Sequence, residues 1–210
     1  ETNFAAMKIG GVPINVNYRY LDDELHYLLE NADIEALVFH SSLGDRVARV
    51  CDRLPMLKVM ICVDDGPAED GSMEHANGIP YDTFLSQASG AAKTQPKGDE
   101  IYMLYTGGTT GMPKGVMYPL DGFTEFFMRG FPPMVGLDPF ESADKFAPAA
   151  RQMVDANTTV VAMSGPPLMH GTGCWLGLMF PHMLGGTSVL LENRGFKPEG
   201  VWDTIERDRV

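Results

Sequence analysis

The sequence of 210 residues is poor in basic side chains. Lysine and arginine together number 16 against 28 aspartates and glutamates, which gives a formal net charge of −12. This balance excludes a broad basic surface of the kind that binds nucleic acid regardless of sequence. Any anionic ligand must therefore be held by a local cation or by backbone N–H groups.

Cysteines and long apolar runs are also scarce. The three cysteines form no C-x-x-C pair, which argues against a disulfide framework or a cysteine zinc site and favours a reducing, cytoplasmic location. No apolar run reaches the length of a transmembrane helix. Apolar residues make up 44% of the chain and charged residues only 21%, so a packed core is expected rather than disorder. Because the first residue is Glu1 and not methionine, we expect a piece cut from a longer chain.

Segments typical of strands and helices alternate along most of the chain. Strands are predicted over 35–40, 57–63, 101–105, 158–163 and 187–191, and helices over 22–31, 43–53, 81–88, 120–130, 171–184 and 198–207. This alternation predicts an α/β fold with mostly parallel sheets flanked by helices. Residues 66–80 are predicted to form a surface loop, and residues 131–156 an insertion or lid rich in proline and glycine at its start.

The most informative segment follows a predicted strand and reads Tyr105-Thr-Gly-Gly-Thr-Thr-Gly-Met-Pro-Lys-Gly-Val116. Its glycines lack Cβ atoms, so a phosphate can approach their backbone N–H groups closely. Its threonine hydroxyls are short neutral donors, and its lysine supplies a positive charge. The segment predicts a polyphosphate cradle made of Thr106, Gly107, Gly108, Thr109, Thr110, Gly111 and Lys114. The alternative is a glycine-rich loop with a surface lysine and no ligand.

Two other glycine-rich phosphate loops are excluded by their spacing. The Walker A loop places its lysine between glycine and serine or threonine, whereas Lys114 lies between Pro113 and Gly115. The dinucleotide fingerprint needs G-x-G-x-x-G at the start of a helix, and Pro113 occupies the place where that helix would run.

The segment resembles the phosphate-binding signature of the adenylate-forming (acyl-activating) enzymes, Y-T-S-G-[ST]-T-G-x-P-K-G. This superfamily includes acyl-CoA synthetases, luciferases and the adenylation domains of peptide synthetases. The sequence departs once from the signature, with Gly107 where serine is usual, and we expect this to alter one phosphate contact. Residues 9–19, 166–170 and 185–186 are similar to further segments of the family, so the resemblance covers nearly the whole chain. The insertion at 131–156 and the segment Pro167-Leu-Met-His-Gly171 are most similar to those of bacterial fatty-acyl and steroid-type CoA ligases.

The resemblance implies that residues 1–210 are part of an AMP-binding domain. They would contain parts of two α/β subdomains of the acyl-CoA synthetase large domain. Residues 14–95 would form the first part and residues 158–210 the second. Residues 101–130 would carry the phosphate-loop strand and the helix after it, with the insertion at 131–156 between.

The resemblance also implies a reaction. The carboxylate of a small, lipid-derived acid would attack the α-phosphate of ATP, and pyrophosphate would leave. The thiol of coenzyme A would then attack the acyl-adenylate. The residues of the predicted cradle would hold the β- and γ-phosphates, and Mg²⁺ would bridge the phosphates. His170 would orient the carboxylate or gate its access to the acyl pocket; the alternative is a histidine that only caps a helix.

Other residues have less decided roles. Trp175, Leu176 and Met179 could line the acyl pocket or fill the core, and their pattern fits both equally. Asp64-Asp65 is expected to be a solvated strand end. The remaining histidines have no partner at metal-ligand spacing, and no protein metal ligand is predicted: His26, His40, His75 and His182.

Two later signatures of the family, Y-G-x-T-E and T-G-D, do not occur in the sequence. In the family they help to place Mg²⁺ and bind the ribose, and a small C-terminal domain adds a lysine. We therefore expect a central piece of a longer ligase, inactive by itself and prone to self-association through exposed apolar faces.

Two alternatives to this function stay open. One is another adenylating enzyme, such as an aryl-CoA ligase, a luciferase or a peptide-synthetase adenylation domain. The other is a non-catalytic domain that binds nucleotide or a protein partner.

Overall fold

Short strands and helices alternate through the structure, a computed structural model that describes residues 1–64, 78–90, 95, 97–108, 111–191 and 197–210. The helices are α1 (Thr2–Lys8), α2 (Asp22–Asn31), α3 (Gly44–Cys51), α4 (Tyr81–Ser86), α5 (Leu120–Gly130), α6 (Phe146–Asp155), α7 (Gly171–Cys174), α8 (Phe180–Met183) and α9 (Pro198–Asp208). The strands are β1 (Ile14–Asn15), β2 (Ala36–His40), β3 (Val59–Val63), β4 (Ile79–Pro80), β5 (Ile101–Gly108), β6 (Gly111–Pro119), β7 (Val161–Met163) and β8 (Thr187–Val189). A π-helical segment, Trp175–Met179, joins α7 to α8.

The predicted α/β class with mostly parallel strands is confirmed. Strand β2 pairs in parallel with β3, from Ala36 opposite Val59 to His40 opposite Val63, and β3 pairs in parallel with β4. Strands β7 and β8 are also parallel. Parallel neighbours need a crossover, and described helices supply it between β2 and β3 and between β7 and β8.

Several element boundaries predicted from the sequence were wrong, and two of them have a clear structural reason. Part of the predicted loop over 66–80 is strand β4, which pairs with β3; residues 65–77 lie outside the described residues. The strand predicted from Thr158 begins only at Val161. The reason is that the Thr158 N–H donates to the carbonyl of Met153 at 2.8 Å, which closes the end of helix α6 instead of joining the sheet.

The chain divides into two compact units. Unit 1 contains residues 1–97 and 105–116, and unit 2 contains residues 98–104 and 117–210. The core of unit 1 is mainly aliphatic, whereas aromatic rings dominate that of unit 2. The assignment of residues 14–95 and 158–210 to subdomains of a larger enzyme stays a prediction.

Helix α2 is the best-defined helix of unit 1 and matches the predicted bounds of 22–31. Leu28 and Leu29 bury its inner face almost completely. At its start the Glu24 carboxylate accepts a hydrogen bond from the Leu21 N–H at 3.0 Å. At its side Arg49 of α3 donates two hydrogen bonds to Asp22, and this contact lowers the pKa of the Asp22 carboxyl.

In unit 2, glycines let helix α7 and its continuation lie directly on neighbouring backbone. A Cβ atom on Gly173 would stand 2.5 Å from the carbonyl oxygens of Pro166 and Pro167. A Cβ atom on Gly177 would stand 2.5 Å from the Cβ of Ser164. Real Cβ atoms do not approach so closely, so the contact between this helix and the loop before it requires glycine at both positions.

Gly173→Ala is therefore expected to lower the free energy of unfolding by about 1–3 kcal/mol, because the new methyl group overpacks a site closed by backbone. Gly122→Ala is the matched control, since Gly122 also lies in a helix of unit 2 but has nothing within 4 Å of its Cβ position. The control should be neutral or stabilising by up to about 1 kcal/mol. Urea denaturation of both variants checks this, and equal stabilities would contradict the packing.

Candidate functional site

The described residues of the predicted phosphate cradle lie at the end of β5 and the start of β6, neighbouring strands in a sheet of order β1-β5-β6, and we call these residues the hairpin tip. Strand β5 extends to Gly108, and β6 starts at Gly111 and includes Lys114. The segment expected to leave the sheet after Tyr105 is thus mostly strand. Thr109 and Thr110, which join the two strands in sequence, lie outside the described residues.

Four residues of the predicted cradle are open to solvent in the described part of the chain. Thr106, Gly107, Gly111 and Lys114 are all exposed, and a Cβ atom on either of these glycines would meet nothing within 4 Å. Pro113 is buried beside the exposed Lys114, as expected for alternating faces of a strand. Across the part of the chain that the structure describes, Lys114 makes no hydrogen bond or ion pair. An accessible backbone next to an uncommitted cation suits an anionic ligand.

Tyr105 fixes strand β5 immediately before the exposed residues. Its side chain is only 9% exposed, and its hydroxyl donates to the Asn31 Oδ1 atom at 2.7 Å. Burial, followed by the nearby Tyr27 and Asp33, raises the pKa of the Tyr105 phenol. The hydroxyl therefore stays protonated and remains a donor through neutral pH.

His170 lies in unit 2, whereas the described cradle residues lie in unit 1. It is the residue before helix α7: its carbonyl accepts from the Cys174 N–H at 2.9 Å, and its own N–H donates to the Pro167 carbonyl at 3.0 Å. The imidazole is exposed and makes no capping hydrogen bond to the helix. His170 thus occupies the capping position of α7 with its backbone groups bonded, as the alternative expects, while its ring takes no part in the cap and is open to a ligand.

Trp175 belongs to an aromatic cluster in unit 2. It stands edge-on to Tyr118 at 5.4 Å between ring centroids, and Tyr102 stacks on Phe123 at 4.8 Å. Met179 is 2% exposed and is a core residue. The aromatic cluster was not predicted from the sequence. Four aromatic residues between positions 118 and 127 could have indicated it.

Two polar atoms are buried inside this aromatic cluster. The hydroxyl of Tyr102 and the Nε1 of Trp175 are both shielded from solvent, and neither makes a hydrogen bond of normal geometry within the described residues. Burial is the main cause that raises the pKa of Tyr102. A buried hydroxyl without a well-formed bond offsets part of the stability that its ring contributes.

Tyr102→Phe is expected to leave stability unchanged near pH 7 or raise it by up to about 1 kcal/mol. The raised folded-state pKa means that the unfolded chain loses this proton first, so stability falls as the pH rises above 10.0. The variant should lose less stability than wild type between neutral and alkaline pH. Urea unfolding followed by tryptophan fluorescence measures both, with Tyr118→Phe from the same cluster as control. A stability loss well above 1 kcal/mol at neutral pH would show that the hydroxyl has a strong partner.

The described residues contain neither a metal-binding cluster nor a membrane-spanning helix. Among them, no group of three or more His, Cys, Asp or Glu side chains is arranged to hold a metal ion. None of the helices described there is long and apolar enough to cross a membrane.

Comparison with known families gives a match over the full chain. The family described as AMP-binding enzyme matches residues 1–210. The chain is 36% identical over 208 residues to a medium/long-chain-fatty-acid–CoA/3-oxocholest-4-en-26-oate–CoA ligase from Mycolicibacterium smegmatis, covering 97% of this chain and 35% of that protein. It is 34% identical to a 3-oxocholest-4-en-26-oate–CoA ligase from Rhodococcus rhodochrous, covering 100% of this chain and 36% of that protein. The chain thus spans little more than a third of the length of these relatives.

A solved structure gives the same fold. A natural red-emitting luciferase from Phrixothrix hirtus superposes with a TM-score of 0.68 at 18% identity, covering 98% of this chain and 36% of the luciferase chain. At that identity the likeness establishes the fold alone.

Proposed function

This chain belongs to the family of AMP-binding enzymes, and from that premise we propose that it is part of an ATP-dependent acid–CoA ligase. The enzyme would join a carboxylic acid to ATP, release pyrophosphate and transfer the acyl group from the adenylate to coenzyme A. The observation that carries this proposal is the 36% identity to a fatty-acid and steroid-acid CoA ligase over 97% of the chain. A medium- or long-chain fatty acid or a steroid side-chain acid is the substrate class that this relative supports.

The hairpin tip would bind the β- and γ-phosphates of ATP. The accessible backbone at Gly107 and Gly111 and the uncommitted charge of Lys114 support this role. Gly108, Thr109 and Thr110 complete the proposed cradle by sequence. Electrostatic stabilisation of the departing pyrophosphate is the main chemical contribution of such a site, because negative charge accumulates there in the transition state. Mg²⁺ would be carried chiefly by the phosphate oxygens, as a hard cation prefers.

His170 would act at the acid side of the reaction. Its exposed imidazole, at the start of a helix held tightly by Gly173, supports a role in orienting the carboxylate. We also propose coenzyme A as the second substrate, an acid derived from lipid and a cytoplasmic location; relatives named as fatty-acid and steroid-acid CoA ligases support the first two. Large apolar side chains exposed in unit 2, such as Trp202 at 68%, support self-association of the isolated chain.

The 210-residue chain by itself is expected to release no pyrophosphate from ATP, Mg²⁺ and fatty acids, because it lacks the family signatures that place Mg²⁺ and bind the ribose. A longer protein that continues through those signatures should be active. A coupled pyrophosphate assay on both proteins measures this. Turnover by the short chain would refute the claim that its active site is incomplete. A long protein that binds nucleotide but is inactive would favour a non-catalytic domain.

In the longer enzyme, Lys114→Ala is expected to slow adenylation by at least about tenfold, since it removes one charge that stabilises the leaving pyrophosphate. Lys58→Ala is the control, because Lys58 is also an exposed lysine of unit 1 but forms a surface ion pair with Glu35. Single-turnover adenylation of both variants decides the matter. Equal rates would remove Lys114 from the phosphate site.

A further inference from the structure

Strand β5 changes from buried to exposed at a single step. Tyr105 is 9% exposed, whereas Thr106 and Gly107, which follow it, are exposed. Because successive side chains of a strand point to opposite faces, Tyr105 and Thr106 lie on opposite sides of β5. Tyr105 is thus the residue through which the core of unit 1 holds the start of the hairpin tip.

The bond that holds Tyr105 connects distant parts of the sequence. Its hydroxyl donates to the Asn31 side-chain oxygen at 2.7 Å, across a separation of 74 residues. Asn31 lies in α2 and Tyr105 in β5, so the bond is a tertiary contact and not part of one local element. The bond therefore adds a constraint on β5 beyond the backbone pairing of the sheet.

Asn31 is itself rigidly placed, because it is the last residue of α2 and the helix end is closed. The Ile34 N–H donates to the Leu29 carbonyl at 3.1 Å, and the Asp33 N–H donates to the Glu30 carbonyl at 3.0 Å. Asp33 has a φ of 47°, the left-handed conformation that this type of helix end requires. Leu29 is 1% exposed and anchors the same turn in the core.

We propose that Asn31 and Tyr105 form a positioning pair that sets where the hairpin tip presents its phosphate-binding residues. The inference rests on the proposed function, since it assigns the pair to ATP binding at that tip. The pair touches no substrate; it acts through Thr106 and Gly107, the first residues beyond it. A displacement of a fraction of an ångström is enough to weaken several phosphate contacts together, because each requires its own donor geometry.

The test uses Tyr105→Phe, Asn31→Ala and the double variant in the longer enzyme. Each single variant should raise the KM for ATP about three- to tenfold, the range expected for one lost hydrogen bond of this kind. The double variant should be no worse than either single variant, because both remove the same bond. The KM values for the acid and for coenzyme A should stay at the wild-type level. A general loss of folding would instead lower the maximal rate and leave all three KM values unchanged, because KM belongs to the molecules that remain folded.

Tyr81→Phe is the matched control, because it also removes a tyrosine hydrogen bond to a side-chain oxygen of unit 1, that of Glu1, but at an exposed site away from β5. It should leave the KM for ATP unchanged. Additive effects of Tyr105→Phe and Asn31→Ala, or an unchanged KM for ATP in both, would overturn the pair.

Lys114→Ala, measured in the same enzyme, separates the proposed phosphate site from the proposed positioning pair. If it slows adenylation while Tyr105→Phe changes nothing, the phosphate site stands and the positioning pair fails. If Lys114→Ala has no effect, the proposed site itself fails.

Discussion

The burial of strand β5 is the constraint on which the candidate site depends. Tyr105 is 9% exposed in unit 1, and its hydroxyl donates to the Asn31 Oδ1 atom at 2.7 Å. A strand held in this way at Tyr105 can continue into residues that are open to solvent without losing its register. The exposed glycines and Lys114 of the hairpin are therefore attached to a rigid support, as a site that binds charge needs.

Close backbone packing has a similar role at the other candidate residue. His170 makes no side-chain bond that would fix its ring to helix α7, so its position depends on the helix itself. That helix is held against residues 164–167 by two glycine contacts of 2.5 Å that leave no room for a side chain. In both places an exposed candidate residue is carried by backbone that packs closely against its neighbours.

The sequence predicted what depends on local pattern. Helix α2 has its acidic first turn and its three core leucines within ten residues, and its bounds were predicted as 22–31. Strand β6 was missed because glycine, proline and lysine at 111–115 are typical of loops, and only its pairing with β5 makes it a strand. The cradle residues came from a motif. The Tyr105–Asn31 bond could not come from one, since neither residue type nor spacing marks a contact across 74 positions.

Gly107 is the one position where residues 105–115 depart from the usual phosphate-binding signature of the family. The space around it is open, so the departure has no steric cause. No atom lies within 4 Å of its Cβ position, and its backbone has no left-handed φ that would demand glycine. Neither sterics nor conformation therefore keeps serine out. A serine at this position would therefore change the proposed phosphate contact alone, without compensating changes elsewhere in the described part of the fold.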